Sequence, residues 1–245
     1  MAKNIHEDEN VLFEEKNKIS EAMRLFLVNV IYMILANITK IEISQTTLNN
    51  LQELDKQLNN SSVVLYGYHS SLFDALVLPI ILSQQLNNVD KMIAPVAITH
   101  AQGLQKVFLN MMSLLTNAQF PPIIREKDQP NYDLKLKRQL LKQLIEITKE
   151  SLTEPGNIYG VAPMGTRGKI LKSDQVNPGF ISVAQKYDVP MLPIAFSKNT
   201  AGSLEFKVGQ INPPPDSKDN IADSINFYMK TLADLLPKEL RGVYS

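Results

Sequence analysis

The chain has 245 residues, 44% hydrophobic and 20% charged, a balance that excludes a disordered polymer and suits one large domain or a domain with an extension. Lysine plus arginine and aspartate plus glutamate each number 25, so net charge gives no general pull toward nucleic acid, and any basic function must come from a local cluster. Cysteine is absent and histidine stands only at His6, His69 and His100; disulfides, thiolate metal sites and cysteine nucleophiles are thereby excluded, and neither a metal centre nor a bound cofactor is expected.

The acidic, mixed-charge start does not have the basic and then apolar pattern of a signal peptide. Residues 9–37 read as one or two helices, with Met23, Phe26, Leu27, Val30, Ile31, Ile34 and Leu35 at helical spacing. Leu25, Val28, Tyr32 and Met33 make the other side apolar as well, so the helix calls for burial on several sides. The apolar stretch 25–38, interrupted by Asn29 and Asn37, is shorter than the ~20 residues needed to cross a bilayer. It is either a core helix or a segment lying in a membrane interface. This divides the chain into a helical extension, 1–39, and a main domain, 40–245.

From residue 40 the pattern alternates. Residues 40–44 suggest a short strand, 47–58 a helix, 59–62 a turn, and Val63-Val64-Leu65-Tyr66-Gly67-Tyr68 a buried strand. A helix over 72–85 contains Pro79, where a kink is expected. Residues 92–99 read as a strand in which Pro95 marks an edge or a bulge. Helices follow over 102–115 and 133–149, with a short strand at 121–124 between them. A strand over 158–162, a helix over 180–187, and strands over 191–196 and 204–208 lead to the stiff Pro213-Pro214-Pro215 connector. A helix over 221–236 closes the chain. Strands separated by helices predict an α/β fold with a mixed, largely parallel central sheet flanked by helices. No repeat and no phosphate-binding glycine loop occurs; Gly165-Thr166-Arg167-Gly168-Lys169 lacks the P-loop frame.

The segment from Tyr66 to Asp74 leaves a strand and opens a helix, the position at which open α/β sheets bind ligands. A five-residue step on a helix turns about 500°, so His69 and Asp74 meet only if His69 precedes the helix and Asp74 reaches back from its first turn. Asp74 would then accept from one imidazole nitrogen and leave the other as a base. Imidazole titrates near ~6.5, suited to taking a proton from an alcohol. The plainer reading is a capping box, with Ser71 and Asp74 three apart ahead of an apolar run.

The segment Tyr68-His69-Ser70-Ser71-Leu72-Phe73-Asp74 resembles the first motif, Asn-His-x-Ser-x-x-Asp, of the glycerol-3-phosphate and lysophospholipid (1-acylglycerol-3-phosphate, PlsC-like) acyltransferase family. Pro121-Pro122-Ile123-Ile124-Arg125 resembles the second block, Ala162-Pro163-Met164-Gly165-Thr166-Arg167-Gly168-Lys169 the third (usually Phe-Pro-Glu-Gly-Thr-Arg-Ser), and Val189-Pro190-Met191-Leu192-Pro193-Ile194 the fourth. The blocks stand in family order across roughly residues 40 to 210. The resemblance implies an O-acyltransferase of lipid metabolism and phospholipid biosynthesis, associated peripherally with membranes from the cytoplasmic side. Its donor would be an acyl thioester, acyl-CoA or acyl carrier protein, and its acceptor a hydroxyl of a glycerol-phosphate or lysophospholipid. His69 would be the base and Asp74 its orienting partner. Arg125, Gly165, Thr166, Arg167 and Lys169 would bind the acceptor or its phosphate, since a guanidinium fork suits phosphate oxygens. Outside that context each arginine reads as a surface ion pair.

Two residues depart from the family. Met164 stands where Glu is usual and cannot pair with a cation, which implies a different or more apolar acceptor site. Tyr68 replaces Asn and adds bulk beside the base. Two other readings remain open at this point: a lipid-binding module without turnover, and acylation of a hydroxyl outside glycerolipids.

Overall fold

The computed structural model describes residues 21–68, 72–165, 170–199 and 202–245. Within them the elements run α1 (Glu21–Thr39), β1 (Glu42–Ile43), α2 (Gln45–Leu58), β2 (Val63–Tyr68), α3 (Leu72–Gln85), β3 (Lys91–Ile93), β4 (Val96–Ala97), α4 (Gly103–Leu115), β5 (Ala118–Gln119), β6 (Pro122–Ile123), α5 (Leu134–Thr153), β7 (Asn157–Val161), α6 (Gly179–Tyr187), β8 (Met191–Lys198), β9 (Leu204–Val208) and α7 (Ile221–Asp234). The expected mixed, largely parallel sheet between helices is the fold found. Its order is β1-β9-β8-β2-β7-β3-β5; β8, β2, β7, β3 and β5 run parallel, and β9 pairs antiparallel with β8 and parallel with β1.

Local chemistry sets the helix starts. Ser44 accepts from the Thr47 N–H at 3.1 Å and begins α2, so Ser44 is a cap and not the strand end expected from 40–44. Asp133 accepts from the Leu136 N–H at 2.8 Å and begins α5, which runs four residues beyond the predicted 133–149. Asn220 caps α7 through the Ala222 N–H at 2.9 Å. The predicted bounds of β2, α3 and β9 match the structure, and α3 continues through Pro79.

The strand expected over 92–99 is divided at Pro95. The N–H groups of Met92, Ala94, Val96 and Ile98 donate in turn to the carbonyls of Asn117, Gln119, Pro121 and Ile123 at 3.1, 2.9, 3.0 and 2.8 Å. Alternate residues thus stay on one ladder, and Pro95, which has no N–H to give, falls between two donors. Past Pro95 this ladder leaves the main sheet as the small β4–β6 pair. The sequence contained no signal for β5, which is two residues long and forms the sheet edge.

Side chains alternate across β2. Val64, Tyr66 and Tyr68 pack under α5, α6 and α7 with Leu152, Phe180, Ile181, Tyr228 and Leu232. Val63 and Leu65 point to the opposite layer, where Leu51, Leu54 and Leu58 of α2 meet Val77, Ile81 and Leu82 of α3. Both faces of the central strands are therefore covered, as a mostly parallel sheet requires.

Both readings of the 25–38 stretch have a physical counterpart. Val28 of α1 is buried against Ile80 of α3 and Met112 of α4, with Leu27, Ile31 and Tyr32 packed beside it. Met23, Leu25, Phe26, Met33 and Ile34 remain exposed on the same helix. No helix among the described residues is long and apolar enough to cross a membrane.

Candidate active site

The carboxyl edge of the sheet collects the sequence blocks through topology. Strands β2 and β7 are parallel neighbours, with Tyr66 opposite Val161. The chain therefore leaves β2 after Tyr68 and leaves β7 at Ala162 on one edge, from strands about 4.8 Å apart. The first block and the third block start side by side there. The β4–β6 pair continues from the carboxyl ends of β3 and β5, so Arg125, two residues past β6, comes from the same edge.

His69, Ser70 and Ser71 lie outside the described residues, as do Thr166, Arg167, Gly168 and Lys169. Asp74 is the third residue of α3, and its side chain is likewise outside the described part. Arg125 and Gly165 are described. Gly165 is exposed, and its N–H donates to the Ala162 carbonyl at 2.8 Å, closing a tight turn immediately after β7. Its φ of +61° is the left-handed conformation that glycine adopts without a Cβ penalty.

Arg125 is braced from two sides. Its Nε donates to Asp128 Oδ2 at 2.7 Å, and Nη2 approaches Thr99 Oγ1 at 3.4 Å. The ion pair is one-quarter exposed or less on both partners, 24% for Arg125 and 15% for Asp128. A half-sheltered carboxylate on one edge of the guanidinium fixes the plane in which it can meet an anion. Asp128 and Thr99 were not picked out from the sequence. The only signal for Asp128 was its offset of three from Arg125 in a charged run.

Met164 enters the core. It is 8% exposed and belongs to the cluster of Tyr68, Leu171, Leu232 and Tyr244. With Gly67, Tyr68, Ala162, Pro163, Leu171 and Leu232 it encloses a cavity of about 10 Å³. That is the lower limit for a single water and far below a substrate's size. The two departures from the family pattern, Tyr68 and Met164, thus meet in the apolar layer beneath the carboxyl edge.

The fourth block lies elsewhere. Met191 pairs with Val64, and the Val64 N–H donates to the Pro190 carbonyl at 3.0 Å, both near the amino end of β2. Met191 and Leu192 are wholly buried. This block seats the strand next to β2 and contributes to the core. Below the site, Tyr66 donates or accepts at 2.5 Å with Thr231 Oγ1, and burial drives its phenol far above the ordinary range. Burial, with the Asp219 carboxylate adding to it, also pushes Tyr228 up to about 12.

The acyltransferase family model matches residues 42–197, more than half of the chain. No curated protein matches the chain in sequence. Among solved structures, the 1-acyl-sn-glycerophosphate (LPA) acyltransferase PlsC of Thermotoga maritima is similar, at 13% identity, covering 93% of this chain and 87% of that one with a TM-score of 0.50. At that identity the likeness is one of fold. The matched residues include every block on the carboxyl edge, and the chain belongs to the acyltransferase family and is an acyltransferase enzyme.

Proposed function

We propose that this acyltransferase moves a fatty acyl group from an acyl thioester, acyl-CoA or acyl carrier protein, to the hydroxyl of a glycerol-phosphate or lysophospholipid acceptor held at a membrane surface. The observation that carries the reading is that the first block leaves the carboxyl end of β2 beside the point where the third block leaves β7. In this reading His69 removes the proton from the acceptor hydroxyl while Asp74 holds the imidazole in the tautomer that can accept it. The acceptor oxygen attacks the thioester carbonyl and forms a tetrahedral oxyanion. That intermediate collapses, the carbon–sulfur bond breaks, and the leaving thiolate takes the proton back from the imidazolium. The products are an ester and a thiol, and no covalent acyl-enzyme is required.

Arg125, Arg167 and Lys169, with the Thr166 hydroxyl, are the candidates to hold the acceptor phosphate. The bracing of Arg125 by Asp128 and Thr99 supports its part in this, because a pre-aimed guanidinium loses less freedom on binding. The exposed apolar side of α1 supports contact with a lipid surface, with residues 1–39 as the extension that makes it.

A matrix of two donors against phosphorylated and unphosphorylated acceptors, in the presence of lipid vesicles, tests the proposal. Turnover is expected with a phosphorylated glycerolipid acceptor, and His69→Ala is expected to lower kcat/KM by ~10² to 10⁴ without changing Tm. Absence of turnover with every pair, or full activity in His69→Ala, overturns it.

A further inference from the structure

Helix α5 outruns the strand it leads into. Its last turn is held at the amino edge of the sheet, where the hydroxyl of Ser62, the residue before β2, donates to the Ser151 carbonyl at 2.8 Å. Leu152 in that turn is buried with Ile181 and Ala184 of α6. A helix of 20 residues is ~30 Å long and a strand of 5 residues ~17 Å, so the first turns of α5 reach the carboxyl edge and pass beyond the cover of β7. There Leu134, Leu141 and Ile145 are 60%, 59% and 50% exposed. At ~100° per residue the three fall within about 40° of one another, a single apolar stripe open to solvent.

The flank of that stripe is cationic. From Leu134 to Ile145 the helix carries Lys135, Lys137, Arg138 and Lys142 and no carboxylate, in a chain with 25 basic and 25 acidic residues. Arg138, Lys142 and Lys135 are exposed and stand about 40°, 80° and 100° round from Leu134, all on one side. Among the described residues Lys135, Lys137 and Arg138 have no ion-pair partner, and Lys142 reaches only Glu146, at 3.9 Å on an open surface. Cations in the opening turns of a helix oppose its positive end, so local helix chemistry does not account for them.

Shape, position and charge together select an occupant. The surface is the convex side of a helix, whereas small ligands such as coenzyme A take concave sites. It lies on the opposite face of the sheet from α1, which rests on Ile80 of α3, so one flat bilayer cannot meet the exposed sides of both helices. A protein remains, and an apolar stripe rimmed by unpaired cations complements one whose surface is acidic. We propose that Leu134, Leu141 and Ile145, with Lys135, Arg138 and Lys142, form the docking surface for an acidic carrier protein that presents the acyl thioester at the carboxyl edge. The proposal rests on the acyl-transfer reading above and deepens it, because it selects the protein-borne thioester over the coenzyme A form. None of the six side chains takes part in the chemistry; they hold the donor's carrier.

The test uses the full chain, with palmitoyl-acyl carrier protein and palmitoyl-CoA as the two donors. A Lys135→Glu, Arg138→Glu, Lys142→Glu triple variant is expected to raise KM for the carrier-protein donor by about 10- to 100-fold. Its KM for palmitoyl-CoA, its kcat and its Tm should match wild type, because all three side chains are exposed. Leu141→Gln, which leaves the charges in place, should raise the carrier-protein KM about 10-fold and spare the other values. Fluorescence anisotropy of labelled acyl carrier protein reads docking without turnover. Wild-type affinity should fall as salt rises from about 50 to about 300 mM, and the triple variant should bind at least ~10-fold more weakly. An unchanged carrier-protein KM in both folded variants, an equal rise in the KM of both donors, or no binding of the carrier protein by wild type overturns the proposal. Loss of flotation with anionic vesicles in the triple variant, with carrier-protein binding unmoved, also overturns it and assigns the stripe to a bilayer. Absence of turnover with both donors, while the triple variant still weakens carrier binding, fails the acyl-transfer reading and leaves the docking surface standing.

Discussion

Tyr66 of β2 and Tyr228 of α7 meet edge to face, with ring centroids 5.7 Å apart and planes at 88°. Tyr66 also shares a hydrogen bond with Thr231 one turn further along α7, and Tyr228 donates to the Pro213 carbonyl at 2.6 Å. The helix nearest the C-terminus is thus fastened to the strand that delivers the first block. Offset edge contacts of this kind add about 0.5–1.5 kcal/mol beyond area burial.

These phenols make the fold sensitive to alkali. Burial keeps Tyr228 protonated in the fold up to about 12, while in the unfolded chain a tyrosine ionises near ~10. Above that pH the unfolded state binds fewer protons than the folded one, so stability falls as pH rises. The contribution is complete below ~10 and is lost as pH passes through about 12. Urea midpoints at pH 8 and pH 11 should drop in wild type and drop less in Tyr228→Phe. Equal drops in the two proteins would refute the assignment.

Met164 is a core residue, which makes a return to the family's glutamate costly. Met164→Glu would place a carboxylate among Tyr68, Leu171 and Leu232, at roughly 3–5 kcal/mol of stability near neutral pH. The buried acid has its pKa raised, so the loss should shrink as pH falls toward the unfolded value near ~4.3. Met164→Leu should cost under about 1.5 kcal/mol. Thermal unfolding at pH 5 and pH 8 reads both, and a Met164→Glu protein as stable as wild type would show that the side chain is not held in the core.

The two sides of α1 should respond differently. Val28 is 2% exposed, and Val28→Ala is expected to cost about 1–3 kcal/mol of stability. Phe26 and Met33 are 61% and 56% exposed, so a Phe26→Glu, Met33→Glu double variant should leave Tm unchanged. The same variant should bind anionic vesicles at least ~10-fold more weakly, since each side chain contributes roughly 1.5–3 kcal/mol of apolar burial. Unaltered vesicle binding by flotation would remove α1 as the lipid contact.

Arg125 offers a geometric prediction. Its Nε is engaged by Asp128, so the fork must meet an anion through its remaining edge. Arg125→Lys keeps the charge and loses the fork, and is expected to raise KM for phosphorylated acceptors about 10-fold. An unphosphorylated acceptor, if turned over, should be indifferent to the change. A uniform effect on both acceptors would reassign Arg125 to structure.

Most elements were legible in the amino-acid order because each depends on residues within a turn or two of itself. The run Val63 to Tyr68 could hardly be other than a buried strand, whereas Ser44, Asp133 and Asn220 show themselves as caps only through their bonds to Thr47, Leu136 and Ala222. The acyltransferase blocks were legible for the same reason, each being a contiguous stretch. Which blocks share an edge was not legible. The first and third start together because β7 pairs beside β2, and the fourth falls at the other end of the sheet because β8 enters there. Nor could the order of residues say that Met164 turns inward, that Asp128 holds Arg125, or that Gly242 rests on Leu171. Those relations depend on strand order, side-chain direction and the close approach of distant backbones. They are decided only when the whole chain packs, since no local period or cap encodes a contact between segments so far apart.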